Sequence, residues 1–174
     1  MDLQTKDAIR ASVQNFKLPD YADIPDIGLY LDQTATYVAE RLSPLQSFSI
    51  TPSMISNYVK MGLIDKPEKK LYHRDQIAYL LFIAAAKSVL SLEDIQLQIT
   101  VQKSIYTPEK AYNYFCDELE NVLHYSFGLI DRLEAVGVEK SDTKTMLRNT
   151  IIAVGHKVYL DKYFSELRQE FAQR

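Results

Sequence analysis

Thr51-Pro-Ser-Met-Ile-Ser-Asn-Tyr-Val-Lys-Met-Gly-Leu-Ile64 is the stretch on which the reading of the fold turns. Thr51 offers a side-chain oxygen to the first free N–H groups of a helix, and Pro52 stands in the first turn, where its missing N–H costs nothing. Gly62 is placed to end that helix in the left-handed conformation. The spacing predicts a helix of about ten residues, near the average length. If Ile55, Tyr58 and Val59 face a core, Ser53, Ser56, Asn57 and Lys60 make up the opposite face. A face that needs only solvation is usually Glu, Lys and Gln, which form helices better than Ser and Asn by roughly a few tenths of a kcal/mol each. The poorer formers point to a demand on that face. Asn pairs with an adenine edge, Ser reaches base edges or phosphate, and Lys neutralises phosphate. An ordinary solvated face on a short helix is the alternative.

Downstream, Ile64 to Tyr72 is too short and too charged for a helix with Pro67 in its middle, so a small β-hairpin turning at Lys66, Pro67, Glu68 and Lys69 is expected. Lys66, Lys69, Lys70 and Arg74 place cations beside the helix, diluted by Asp65, Glu68 and Asp75. Charge counts support the focus on this segment. Residues 1–50 carry four Lys/Arg against seven Asp/Glu, residues 51–75 five against three, and the remainder eleven against thirteen.

Upstream, Ile27, Leu31, Ala35, Val38 and Leu42 step by three and four, the stripe of an amphipathic helix ending before Pro44. Beyond the hairpin, Arg74 to Leu90 is apolar on almost every side and reads as a helix buried nearly all round. Ser91 with Asp94 starts the next helix, with Leu92, Ile95 and Ile99 inward. Thr107 and Pro108 repeat the cap-then-proline start. From there Tyr112, Phe115, Leu119, Val122, Ser126, Leu129, Leu133 and Val136 form a heptad seam, and a helix over 108–136 would be about 43 Å long. The last helix starts near Ser141 and has two apolar rows. One runs through Met146, Thr150, Ala153, Lys157, Leu160, Phe164, Leu167 and Phe171; the other through Leu147, Ile151, Val154 and Val158.

With 174 residues, 47% hydrophobic and 25% charged, the chain has the composition of a soluble globular protein with one real core. The single cysteine, Cys116, fits a reducing compartment, and the longest apolar run, Ile77 to Ala86, is far shorter than a bilayer needs, so a cytoplasmic protein without a membrane span is expected. The net charge of −3 makes any footprint for an acidic polymer local. Catalytic motifs are missing. Five glycines at 28, 62, 128, 137 and 155 leave no phosphate loop, and His73, His124 and His156 share no zinc spacing with a thiol, so no catalytic residue, metal or cofactor is expected. Cys116 reads as a small core residue.

The run Thr51 to Ile64, then Lys70-Leu-Tyr72, an apolar helix, and Ser91-Leu-Glu-Asp-Ile95, resembles the DNA-binding head of the MerR family over about residues 50–100. Tyr58, Gly62, Leu63, Tyr72, Ser91, Leu92, Glu93 and Ile95 occupy the matching positions. Ser56-Asn57-Tyr58 stands where that family often has Arg-Tyr-Tyr, and Lys70 replaces the wing arginine. The whole chain also resembles a bacterial family filed as a domain of unknown function and related to MerR.

The expected fold is all-α with a small β-hairpin wing: an N-terminal arm (1–28), a winged helix-turn-helix head (29–104) and a helical dimerisation or effector region (105–174). The resemblance implies a homodimeric transcription regulator. It would contact double-stranded DNA through Ser53, Ser56, Asn57, Lys60, Lys66, Lys69, Lys70 and Arg74. The heptad seam asks for a partner as well, so Phe115, Leu119, Val122, Leu129, Leu133 and Val136 are the expected dimer contacts. The alternative is a helical protein-interaction or small-molecule-sensing module that does not bind DNA, with Tyr106, Tyr112, Tyr114 and Tyr125 around an effector or packed as core.

Overall fold

The computed structural model describes residues 3–137 and 141–172; residues 1–2 of the N-terminal segment and 138–140 and 173–174 of the C-terminal region lie outside it. Among the described residues the fold is all-α. It has seven α-helices: α1 (Leu3–Gln14), α2 (Leu31–Leu42), α3 (Pro52–Lys60), α4 (Arg74–Ala86), α5 (Leu92–Lys103), α6 (Pro108–Ser126) and α7 (Asp142–Ala172). The all-round apolar surface of α4 puts it at the centre, with Gln76 to Ala86 all buried. On one side α4 meets α2, which carries α3, and on the other it meets α6 and α7. One hydrophobic cluster runs from Ile9 and Val13 of α1 to Val154 and Val158 of α7, crossing both expected domain boundaries. No described helix is long and apolar enough to cross a membrane.

Local signals place α3 where the sequence predicts it. The Thr51 side chain accepts from the Met54 N–H at 3.2 Å, and Gly62 has φ +75°. The Gly62 N–H donates to Val59 O at 3.1 Å and the Leu63 N–H to Tyr58 O at 2.9 Å, a Schellman stop that seats buried Leu63 beside Tyr58.

Helix α2 begins at Leu31, four residues later than Ile27, which is 86% exposed. Gly28 has φ +84°, and Leu29 exchanges both backbone hydrogen bonds with Tyr72, so the chain stays extended until Tyr30. Helix α4 also stops early, at Ala86 rather than Leu90.

The expected β-hairpin wing does not form. Among the described residues there are two isolated antiparallel bridges, Glu68–Leu71 and Leu29–Tyr72, and no strand. Pro67 has no N–H to extend a ladder. The Asp65 and Lys66 carbonyls are taken by the Gln76 side-chain amide, at 2.9 and 3.1 Å, and Tyr72 pairs with Leu29 instead. The turn sits at Lys69 and Lys70, later than the expected Lys66–Lys69.

Helix α6 also departs from expectation. It ends at Ser126, so the 108–136 helix is 19 residues long. Gly128, at φ +68°, builds a second Schellman stop, its N–H donating to Tyr125 O and the Leu129 N–H to His124 O. Arg10 of α1 then donates to the freed carbonyls of Phe127 and Gly128. Leu129 and Leu133 leave the helix line and pack half-buried against the core, and Val136 is half-exposed. Phe115, Leu119 and Val122 are at most 1% exposed, covered by their own chain, chiefly by α7. The seam read as asking for a second copy is therefore closed within one.

Helix α7 is 31 residues long, about 46 Å at the usual rise. It turns Leu147, Ile151, Val154 and Val158 inward. Buried Lys162 donates to Pro44 O at 2.9 Å, tying the helix to the connection after α2. Most of the other row faces out, with Met146 41% exposed, Leu160 47%, Phe164 53% and Phe171 67%, whereas Thr150 of that row is buried and accepts from Gln98 of α5.

Candidate nucleic-acid interface

Helix α3 is held by Ile55 and Tyr58, which are 0% and 2% exposed, and this fixes which face points out. Ser53, Asn57 and Lys60 are exposed and Ser56 is half-buried. All four line one open concavity of about 610 Å3 between α3 and the start of α5. Lys87 and Leu92 line the other side of it. Lys87 is a cation the sequence reading missed. Its signal was the loop just past α4, which sequence periodicity had included in the helix. Its ammonium lies 3.7 Å from Met54 Sδ, and burial lowers its pKa. A phosphate approaching this groove would meet a cation that has already lost part of its water.

Lys66, Lys69 and Lys70 are all exposed at the tip that replaces the wing, and among the described residues none of them makes an ion pair. Two of the acidic residues that dilute this patch are engaged elsewhere. Asp65 pairs with Lys103 at 3.5 Å, and Asp75 accepts a short hydrogen bond from the Tyr21 hydroxyl. Arg74 does not join the patch. Its guanidinium donates to Ile24 O at 3.0 Å and Ala22 O at 3.2 Å, and lies 3.8 Å from Asp26 and over the Tyr21 ring. It clamps the N-terminal segment onto α4.

Lys69 and Lys70 have φ of +48° and +71°, both left-handed. Two-residue hairpin turns need this conformation, and Asn-Gly is the pair that adopts it at least cost. For lysines the cost is about 1–2 kcal/mol per residue. Two cations are thus held in an unfavourable backbone at an exposed tip. The double substitution Lys69→Asn with Lys70→Gly is expected to stabilise the protein by about 1–2 kcal/mol in urea unfolding. A stability loss would remove the strain argument.

Elsewhere, reactive groups are muted or dispersed. Burial pushes the Cys116 thiol up to about 12, so it is not a thiolate at neutral pH. His73 caps α4 near Asp26 O, His124 lies near Gln14 O, and His156 is exposed on α7.

A family model described as a domain of unknown function (DUF1836) matches residues 19–115, which run from before α2 into α6. No curated protein and no solved structure matches the chain. None of these comparisons links the chain to the MerR proteins.

Proposed function

This chain belongs to the DUF1836 family, and on that premise we propose that it is a DNA-binding transcription regulator of MerR-like type, acting as a homodimer. The observation that carries this reading is the outward face of α3, where Ser53, Ser56, Asn57 and Lys60 share one groove with Lys87; the exposed Lys66, Lys69 and Lys70 follow it in the chain. The helix would enter the major groove and the lysine tip would rest on the phosphate backbone in place of a wing. Arg74 has no part in it. The reading assigns no catalytic residue, metal or cofactor.

The test is selection of fragments from the source organism's genomic DNA at low salt. A dimer using about three cations per head neutralises roughly six phosphates, so log affinity should fall against log salt with a slope of about −5. Asn57→Ala should relax one base position by about 1–3 kcal/mol. Lys69→Ala should weaken every sequence alike and flatten the slope. If no fragment is enriched, the reading gives way to the second one, an interaction module that has kept the head without DNA. The diversion of Arg74 and the net charge of −3 favour that alternative.

For the second copy, the outer row of α7 replaces the α6 seam. Leu160, Phe164 and Leu167 continue at heptad spacing, with Leu160 and Phe164 about half exposed. Lys157, in the same row, is already paired with Asp161 at 2.5 Å, which lowers the cost of covering it. Sedimentation should give a dimer, and Phe164→Glu should shift it toward monomer without loss of helix content. A wild type that stays monomeric at about tens of micromolar would remove the dimer from the proposal.

A further inference from the structure

Between α6 and α7 lies a cavity of about 300 Å3, its walls built from Ala111, Leu147 and the rings of Tyr106 and Tyr114, with Lys110 and Lys144 among its lining residues. That is the lower end of the ~300–1,000 Å3 typical of small-molecule sites. Of the four tyrosines expected around an effector, two are here. Tyr112 is buried with its hydroxyl donating to Pro19 O, and Tyr125 is 40% exposed.

Two chemistries meet at this cavity. Its walls are overwhelmingly apolar, and its two ammonium groups are held over aromatic faces, Lys144 Nζ 5.0 Å from the Tyr114 ring centre and Lys110 Nζ 5.0 Å from that of Tyr106. Among the described residues Lys144 has no carboxylate within ion-pair distance. The Tyr114 hydroxyl is buried with no hydrogen bond of good geometry, and the Glu118 carboxylate is its neighbouring acceptor. Burial first, and then the charge and hydrogen bonding of Glu118, push this phenol up to about 12, so at neutral pH it remains an O–H. Glu118 would favour a cation, but it is already paired with Arg148 at 2.9 Å, and the Lys144 ammonium stands in a cation's way.

We propose that this cavity binds a small apolar carboxylic acid, its ring or alkyl body against Leu147, Ala111 and the tyrosine rings and its carboxylate on Lys144. Such a site does not depend on DNA binding, and its test uses the full chain without DNA. The probe is 2-naphthoate, compared with the uncharged 2-naphthamide, followed by naphthyl fluorescence anisotropy in a protein that has no tryptophan. The acid is expected to bind with a dissociation constant below about 1 mM and the amide about tenfold more weakly. Lys144→Met should weaken the acid by about fivefold to tenfold and leave the amide unchanged, which removes the discrimination. Ala111→Leu should exclude both by filling the cavity, and Lys144→Met, at a half-buried position, keeps the test open if that core variant unfolds. Equal affinity for acid and amide, no acid binding up to about 1 mM, or acid binding untouched by Lys144→Met would overturn the proposal.

Discussion

Replacing Arg148 with methionine is expected to cost the fold about 3–5 kcal/mol, because it strips a buried carboxylate of its partner. Glu118 is 0% exposed on α6, and its Oε1 accepts from Arg148 Nε at 2.9 Å while its Oε2 has no hydrogen-bond partner. Arg148 also donates to Glu134 O at 2.7 Å, so one side chain of α7 both neutralises α6 and holds the segment that follows it. Methionine keeps the length of the stem and removes the charge. The midpoint of urea unfolding should fall with little change in slope. Adding Glu118→Gln to the same chain removes the stranded charge and should recover most of the loss. If the single variant is as stable as the wild type, the pair contributes nothing and α6 is held to α7 by apolar packing alone.

A second large loss is expected at Gly155, a position where helix propensity and packing disagree. In the middle of α7, glycine is about 1 kcal/mol worse than alanine, so propensity alone says that any side chain should help. Packing says otherwise. A Cβ built at residue 155 would lie 2.3 Å from Val122 Cγ1 and 3.3 Å from Val122 Cβ, and Val122 is itself 1% exposed with nowhere to go. Gly155→Val should therefore destabilise by about 3 kcal/mol, and Gly155→Ala by less but with the same sign. Combining Gly155→Ala with Val122→Ala removes the closest atom and should restore part of the difference, a coupling that two independent sites would not show. A Gly155→Ala protein more stable than wild type would mean that the two helices do not pass this closely.

Helix α3 was legible in the sequence almost to the residue, since its start, Thr51-Pro52, and its stop, Gly62-Leu63, are local devices that act within one turn. Ser91 and Thr107 set the starts of α5 and α6 in the same way, each side chain accepting from the backbone N–H three residues on. The outward face of α3 followed once Ile55 and Tyr58 were assigned inward. The hairpin was misread because its outcome depends on distant groups: Gln76, which takes two of its carbonyls, and Leu29, which takes Tyr72. Arg74 looked like part of a cationic run, and no local signal marks the Ile24 and Ala22 carbonyls, about fifty residues earlier, as its partners. Lys87 was missed for a related reason, since its place in the groove comes from how α3 lies against the connection between α4 and α5.

The α6 seam draws the dividing line most clearly. From the sequence alone came the helical class, the central place of α4, the two apolar rows of α7 and the residue types on the face of α3. Each of these follows from periodicity or from hydrogen bonds spanning three or four residues. Only the tertiary structure decided which apolar row meets which. Phe115, Leu119 and Val122 are equally satisfied by a second copy or by a helix of the same chain, because the hydrophobic effect depends on the area removed from water and not on whose surface covers it. Gly128 ends α6, the chain returns as α7, and Gly155 lets it come close enough to cover the seam from within. The row left facing solvent is therefore on α7.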